Sequence, residues 1–119
     1  MTDHLPVAVT MGDPAGIGGE IAIMSWCDHR TELPPFYLLD DPDRLARLMA
    51  ATGLSCPIAE IRTAHEAAST CINALPVLRL SAPVQALPGD DSTADGRMVI
   101  EAIDRAIDAS QDGEAAGMA

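Results

Sequence analysis

The sequence contains no lysine. Every Schiff-base, lysine-base or phosphate-lysine mechanism is thereby excluded for this stretch of chain. The seven cationic residues are all arginine, placed singly at Arg30, Arg44, Arg47, Arg62, Arg79, Arg97 and Arg105, against eighteen acidic residues and a net charge of −11. A nucleic-acid backbone needs clustered cations to displace its counterions, so nucleic acid is excluded as a partner. Cysteine is sparse: Cys27, Cys56 and Cys71 are odd in number and widely spaced. They match neither a disulfide framework nor a C-x-x-C pair, and are expected to be buried, unreactive thiols. No apolar run approaches the roughly 20 residues of a membrane span, and Asp3 stands where a signal peptide would be basic. A reducing, cytoplasmic setting without membrane contact is expected.

What is present is ordinary globular material: 119 residues, 48% hydrophobic and 21% charged, enough for one small domain that buries roughly 65% of its unfolded surface. Leu5 to Met11 is a short apolar run with β-branched residues, as in a strand buried on both faces. It breaks at Gly12-Asp13-Pro14-Ala15-Gly16-Ile17-Gly18-Gly19. Beyond it Ile17, Ile21, Met24 and Cys27 fall at helical spacing and predict the buried face of a helix, with Glu20 in its first turn.

Phe36 to Leu39 predicts a second strand. Asp41 as N-cap, Pro42 at the first helical position, the apolar face Leu45, Leu48, Met49, and Gly53 as terminator predict a second helix. Cys56 to Ile61 predicts a third strand, Thr63-Ala64-His65-Glu66 a capping box, and Ala74 to Leu80 a fourth strand. Ser81 to Gly96 reads as a surface loop. Ile100, Ile103 and Ile107 predict one face of a helix over about Arg97–Ser110, closed by Asp112-Gly113, and Glu114–Ala119 predicts entry into another strand. Alternating strands and helices with continuous apolar strands predict an α/β fold with a mainly parallel sheet.

Chemistry concentrates in the glycine-rich segment. Glycine at a strand-to-helix junction lets backbone amides approach a ligand, and the free N–H groups of the first helical turn favour an anion. Gly12, Gly16 and Gly18 give neither G-x-G-x-x-G nor a P-loop, so a tight turn that needs glycine only for its dihedrals explains the same residues. Asp13 can accept from a ligand hydroxyl, ammonium or ribose, or hold the turn itself. The cluster Asp40, Asp41, Asp43 reads as a helix cap with solvated neighbours, and His4, His29 and His65 as solvated or capping residues. No catalytic or metal-ligating residue is assigned.

Gly12-Asp13-Pro14-Ala15-Gly16-Ile17-Gly18 directly after an N-terminal strand resembles the opening signature of the 4-hydroxythreonine-4-phosphate dehydrogenase family, with Gly19 where the family has proline. Leu38-Leu39-Asp40, Leu75-Pro76-Val77, Pro88-Gly89 and Ala94-Asp95-Gly96 recur in the family in the same order. The resemblance implies an isocitrate/isopropylmalate-dehydrogenase-like fold of two α/β domains, of which residues 1–119 are an N-terminal portion without a complete second domain. It implies NAD-dependent oxidation of 4-phosphohydroxy-L-threonine, with decarboxylation, in pyridoxal phosphate biosynthesis. A divalent metal (zinc, magnesium or cobalt) held by three histidines would polarise the alcohol oxygen. Gly12, Asp13, Gly16 and Gly18 are the candidate cofactor-binding residues.

The family's metal ligands and a Thr-x-Pro-x-x-Lys segment are expected after Ala119, the whole enzyme is expected to be a homodimer, and this stretch alone is expected to be inactive. Two alternatives stay open. One is a paralogue acting on a four-carbon sugar-acid phosphate or a dihydrodiol carboxylate; the other is a non-catalytic α/β remnant that keeps an anion site.

Overall fold

In a computed structural model the described residues are 5–11, 18–84 and 96–119. The elements follow in the order β1 (Val7–Thr10), α1 (Gly18–His29), β2 (Phe36–Asp40), α2 (Pro42–Thr52), β3 (Ile58–Ile61), a 3-10 turn (Ala64–Glu66) running into the single turn α3 (Ala67–Thr70), β4 (Leu75–Arg79), α4 (Gly96–Gln111) and β5 (Gly117–Met118). All strand pairs are parallel, in the order β3-β4-β2-β1-β5.

Chirality decides which face each connection covers. A strand–crossover–parallel strand unit is right-handed almost without exception. The steps β1 to β2 and β2 to β3 run one way across the sheet, so α1 and α2 share a face; the steps β3 to β4 and β4 to β5 run back, so the 3-10 turn and α4 cover the other. The two cores match this division. Ala22, Ile23 and Trp26 of α1 and Leu45 and Leu48 of α2 pack on Phe36, Leu38, Leu75 and Val77. On the opposite face Met98, Ala102 and Ala106 of α4, with Ala64 and Ala67, pack on Ala8, Tyr37, Leu39 and Ile61. All five residues of β2 are buried, as expected of a central strand with both faces covered.

Local chemistry explains the element ends. Asp41 caps α2, its carboxylate accepting from the Asp43 N–H at 2.9 Å, and Pro42 occupies the first helical position. Gly53 closes α2 at φ 78°, a left-handed conformation that a Cβ would strain. Gly113 closes α4 in the same way at φ 77°, and Ala109 O then accepts from the N–H groups of Glu114 and Ala115. The Thr63–Glu66 capping box forms, with Glu66 Oε2 accepting from the N–H groups of Arg62 at 2.7 Å and Thr63 at 2.9 Å.

Three expectations are corrected. Ile21 and Met24 do not form the buried face of α1: they are 53% and 48% exposed, and the helix packs through Gly19, Ala22, Ile23 and Trp26 instead. Ile100, Ile103 and Ile107 likewise stay exposed on α4, which buries Met98, Ala102 and Ala106. Finally, Cys27 is exposed, while Cys56 and Cys71 are buried. On α4 the small residues Ala102 and Ala106 take the sheet-facing stripe, where they let the helix axis approach closely, and the isoleucines stay outside; α1 instead buries Ile23 and Trp26 beside Gly19 and Ala22.

Candidate functional site

The carboxyl ends of the strands hold the chain's chemistry. β1 ends at Thr10 and α1 begins at Gly18, with the glycine-rich segment between them in the sequence. Gly12, Asp13 and Gly16 lie outside the described residues. Gly18 is the first residue of α1. A Cβ there would lie 2.9 Å from the Met11 carbonyl oxygen, closer than real Cβ atoms approach, so the helix start is pressed against the end of β1. Gly19 is equally confined, its Cβ position lying 2.8 Å from Leu48 Cδ2 and 3.4 Å from Arg44 Nη1. The free N–H groups of the first turn of α1 therefore sit at the carboxyl edge of the sheet, where doubly wound folds bind ligands.

Beside them is a feature that sequence reasoning misread. Asp40 and Asp41 are not solvated: each is 1% exposed, and only Asp43 reaches water. Asp40 takes both arms of the buried Arg44 guanidinium, from Nε and Nη2 at 3.2 Å each, and also accepts from the Asp41 N–H. Burial pushes the Asp40 carboxyl above its ordinary value, with the Arg44 charge and the Asp41 N–H opposing. The readable signal was the i, i+4 spacing of Asp40 and Arg44 across the cap of α2.

β2 and β4 are neighbours whose onward connections leave for opposite faces of the sheet. Such a switch point opens a crevice in doubly wound folds. Here protein groups fill it: Asp41 accepts from the Val84 N–H at 2.9 Å as well as capping α2, and Leu80 N–H donates to Asp40 O. At its rim Arg79 binds both carboxylate oxygens of Glu60 and reaches Asp43 at 3.4 Å. Glu101 of α4 accepts from both the N–H and the hydroxyl of Ser81. These bonds tie strand ends to helices and leave the start of α1 as the edge without a side-chain latch among the described residues.

His4 lies outside the described residues, and the two described histidines do not converge. His29 ends α1, where its Nδ1 meets Glu32 Oε2 at 3.1 Å on the surface, and His65 is exposed in the 3-10 turn. Among the described residues no three His, Cys, Asp or Glu side chains gather in a metal-binding group, so no metal is assigned to them. A cavity of about 260 Å³ lies on the opposite face, between the 3-10 turn and α4, lined by Tyr37, Arg62, Arg105, Asp108 and Glu114 among others. Gly18, the one candidate cofactor-binding residue among those described, does not line it. No helix among the described residues is long and apolar enough to cross a membrane.

A 4-hydroxythreonine-4-phosphate dehydrogenase of Methylorubrum populi is 38% identical over 120 residues, covering 98% of this chain and 34% of its own length. The chain belongs to the 4-hydroxythreonine-4-phosphate dehydrogenase family. It spans about a third of the length of the curated relatives it matches. No family model matches it. Crystal structures of 4-hydroxythreonine-4-phosphate dehydrogenases from Burkholderia phymatum and Klebsiella pneumoniae superpose with TM-scores of 0.81 and 0.77, at 26% and 28% identity. Each superposition covers 96% of this chain, and 35% and 36% of those chains respectively. The family's parallel α/β architecture and the fold described above agree over that third.

Proposed function

We propose that the chain supplies the N-terminal α/β portion of an NAD-dependent, metal-assisted dehydrogenase that oxidises and decarboxylates 4-phosphohydroxy-L-threonine in pyridoxal phosphate biosynthesis. The reading is carried by the name shared among its relatives, together with the glycine-rich sequence between β1 and α1. When bound, NAD accepts the hydride and a divalent metal polarises the alcohol oxygen.

The residues present would act by binding. Gly12, Asp13, Gly16 and Gly18 would bring the amides of the turn and the first N–H groups of α1 against a phosphate or carboxylate of cofactor or substrate. The tight contact of Gly18 with the Met11 carbonyl would fix the first N–H groups of α1 at the end of β1. Asp13 would accept from a ligand hydroxyl. With no lysine and no gathered metal donors among the described residues, the reacting groups would come from another part of a homodimeric, two-domain enzyme that works in the cytoplasm.

The purified chain is accordingly expected to give no NAD reduction with 4-phosphohydroxy-L-threonine, with or without zinc, magnesium or cobalt. Turnover above a no-protein control would overturn the division of labour. Titration of NAD and of inorganic phosphate, with amide shifts followed across Gly18–Glu20 by NMR, tests the cradle: the shifts are expected there and should be lost in Gly16→Val. Shifts confined to other segments would remove the turn's binding role.

A further inference from the structure

The cavity of about 260 Å³ between the 3-10 turn and α4 stands apart from the glycine-rich segment, and its walls carry opposite charge. On one side is Arg62, just ahead of the 3-10 turn. On the other are Asp108, in the last turn of α4, and Asp112 and Glu114 just beyond it. No ion pair joins any of these four side chains to another described residue. Arg105, also in the wall, is already bonded to Glu101 Oε2 at 3.3 Å and to the Arg79 carbonyl at 3.1 Å.

Two further observations point to an occupant. The carboxyl end of a helix is its negative pole and favours cations, yet the last turn of α4 has no basic residue and the chain places carboxylates there instead. A local rule broken in this way marks a functional position when a ligand supplies the missing charge. The second observation is Tyr37, 1% exposed on the central strand β2, whose hydroxyl has no hydrogen-bond partner among the described residues. A buried tyrosine hydroxyl normally finds one. Among the described residues Ser110 Oγ alone is both sealed from solvent and unpartnered, so the Tyr37 hydroxyl opens into the cavity it lines. Burial, and then the Glu114 charge, push that hydroxyl above its ordinary value against the pull of Arg105, so it stays a proton donor.

We propose that this cavity binds a small diamino carboxylic acid, a molecule of the ornithine and lysine class. Its carboxylate would be taken by Arg62 and the Tyr37 hydroxyl, and its two ammonium groups by Asp108, Asp112 and Glu114 at the negative end of α4. The charge count selects this class: three carboxylates face one unpaired guanidinium, so the occupant carries more ammonium than carboxylate. The volume, below the roughly 300–1,000 Å³ of sites for drug-sized molecules, limits it to a small metabolite. The site is independent of the proposed dehydrogenase role, since it uses no residue of the glycine-rich segment.

The full chain is titrated at neutral pH with L-ornithine, with putrescine, which lacks the carboxylate, and with δ-aminovalerate, which lacks one ammonium, while amide shifts are followed by NMR. L-ornithine is expected to shift Arg62–Ala64 and Asp108–Glu114, and each truncated molecule to bind about tenfold more weakly, the effect of losing one charge-assisted hydrogen bond. Tyr37→Phe should weaken L-ornithine by a similar factor without lowering the melting temperature, because the hydroxyl it removes bonds nothing in the described fold. Asp112→Asn, at an exposed position, should weaken L-ornithine and putrescine alike. The proposal is overturned if either truncated molecule binds as tightly as L-ornithine, if Tyr37→Phe leaves its affinity unchanged, or if millimolar L-ornithine shifts neither segment.

Discussion

A methyl group at Gly18 would meet a backbone carbonyl, and a methyl group at Gly19 the end of a leucine. The two contacts are almost equally short, but their consequences differ. The Met11 carbonyl is held at the end of β1 and cannot turn aside, whereas Leu48 can change rotamer. Gly18→Ala is expected to destabilise by about 1–3 kcal/mol, the usual range for forcing extra volume into a packed site. Gly19→Ala should cost less, because helix propensity repays part of the strain. Thermal denaturation of both variants checks the order; equal losses would show that the junction is no tighter than the helix contact.

Asp40 carries a second prediction at this scale. Burial raises its carboxyl above the ordinary 3.8, so the native state keeps a proton over a range where the unfolded chain has released it. A raised folded value means that the contribution is fully present below the unfolded pKa and lost as pH rises through the folded one. The stability of the parent relative to Asp40→Asn should therefore fall as pH is raised from about 4, the unfolded aspartate value. A difference that stays flat or grows would mean that Arg44 outweighs burial.

Among the elements, the caps were the most legible features. Asp41-Pro42, Gly53, Asp112-Gly113 and the Thr63–Glu66 box each use a residue type whose local hydrogen bond or dihedral determines the backbone without help from distant chain. The helix faces were not legible in the same way. On α4 the isoleucines and the buried Met98, Ala102 and Ala106 lie roughly 130° apart around the axis at about 100° per residue. Either stripe satisfies helical periodicity, and which one meets the sheet depends on how closely the axis can approach. The burial of Asp41 was hidden for a related reason, since Val84 reaches it only after β4 has docked beside β2.

The capping box gives an element-scale prediction. Two backbone N–H bonds, from Arg62 and Thr63, hold the Glu66 carboxyl below its ordinary value. A depressed folded value contributes stability above the unfolded pKa and loses it as pH falls through the folded one. Glu66→Ala should lower the melting temperature at neutral pH, and the gap from the parent should close on acidification below about 4.3, the unfolded glutamate value. A gap that persists in acid would assign the loss to packing.

For the whole molecule, the order β3-β4-β2-β1-β5 places a fully buried β2 at the centre and distributes the helices by the hand of each crossover, so each face of the sheet acquires its own core. The outer surfaces of those helices then carry exposed apolar residues: Ile21 and Met24 on α1, and Ile100, Ile103 and Ile107 on α4. If that division is right, polar substitution outside and enlargement inside should have opposite consequences on a single helix. Ile103→Lys and Ile107→Lys are expected to change stability by no more than about 0.5 kcal/mol each, as exposed substitutions do, and to reduce concentration-dependent light scattering because less apolar surface is shown to neighbouring molecules. Ala102→Ile, at a fully buried position against Ala8 and Leu39 of the same core, should cost about 1–3 kcal/mol by overpacking. Urea denaturation of the three variants at one protein concentration decides the matter. Large losses from the lysine variants with tolerance at Ala102 would mean that the isoleucine stripe faces the sheet and that α4 is rotated from the position described.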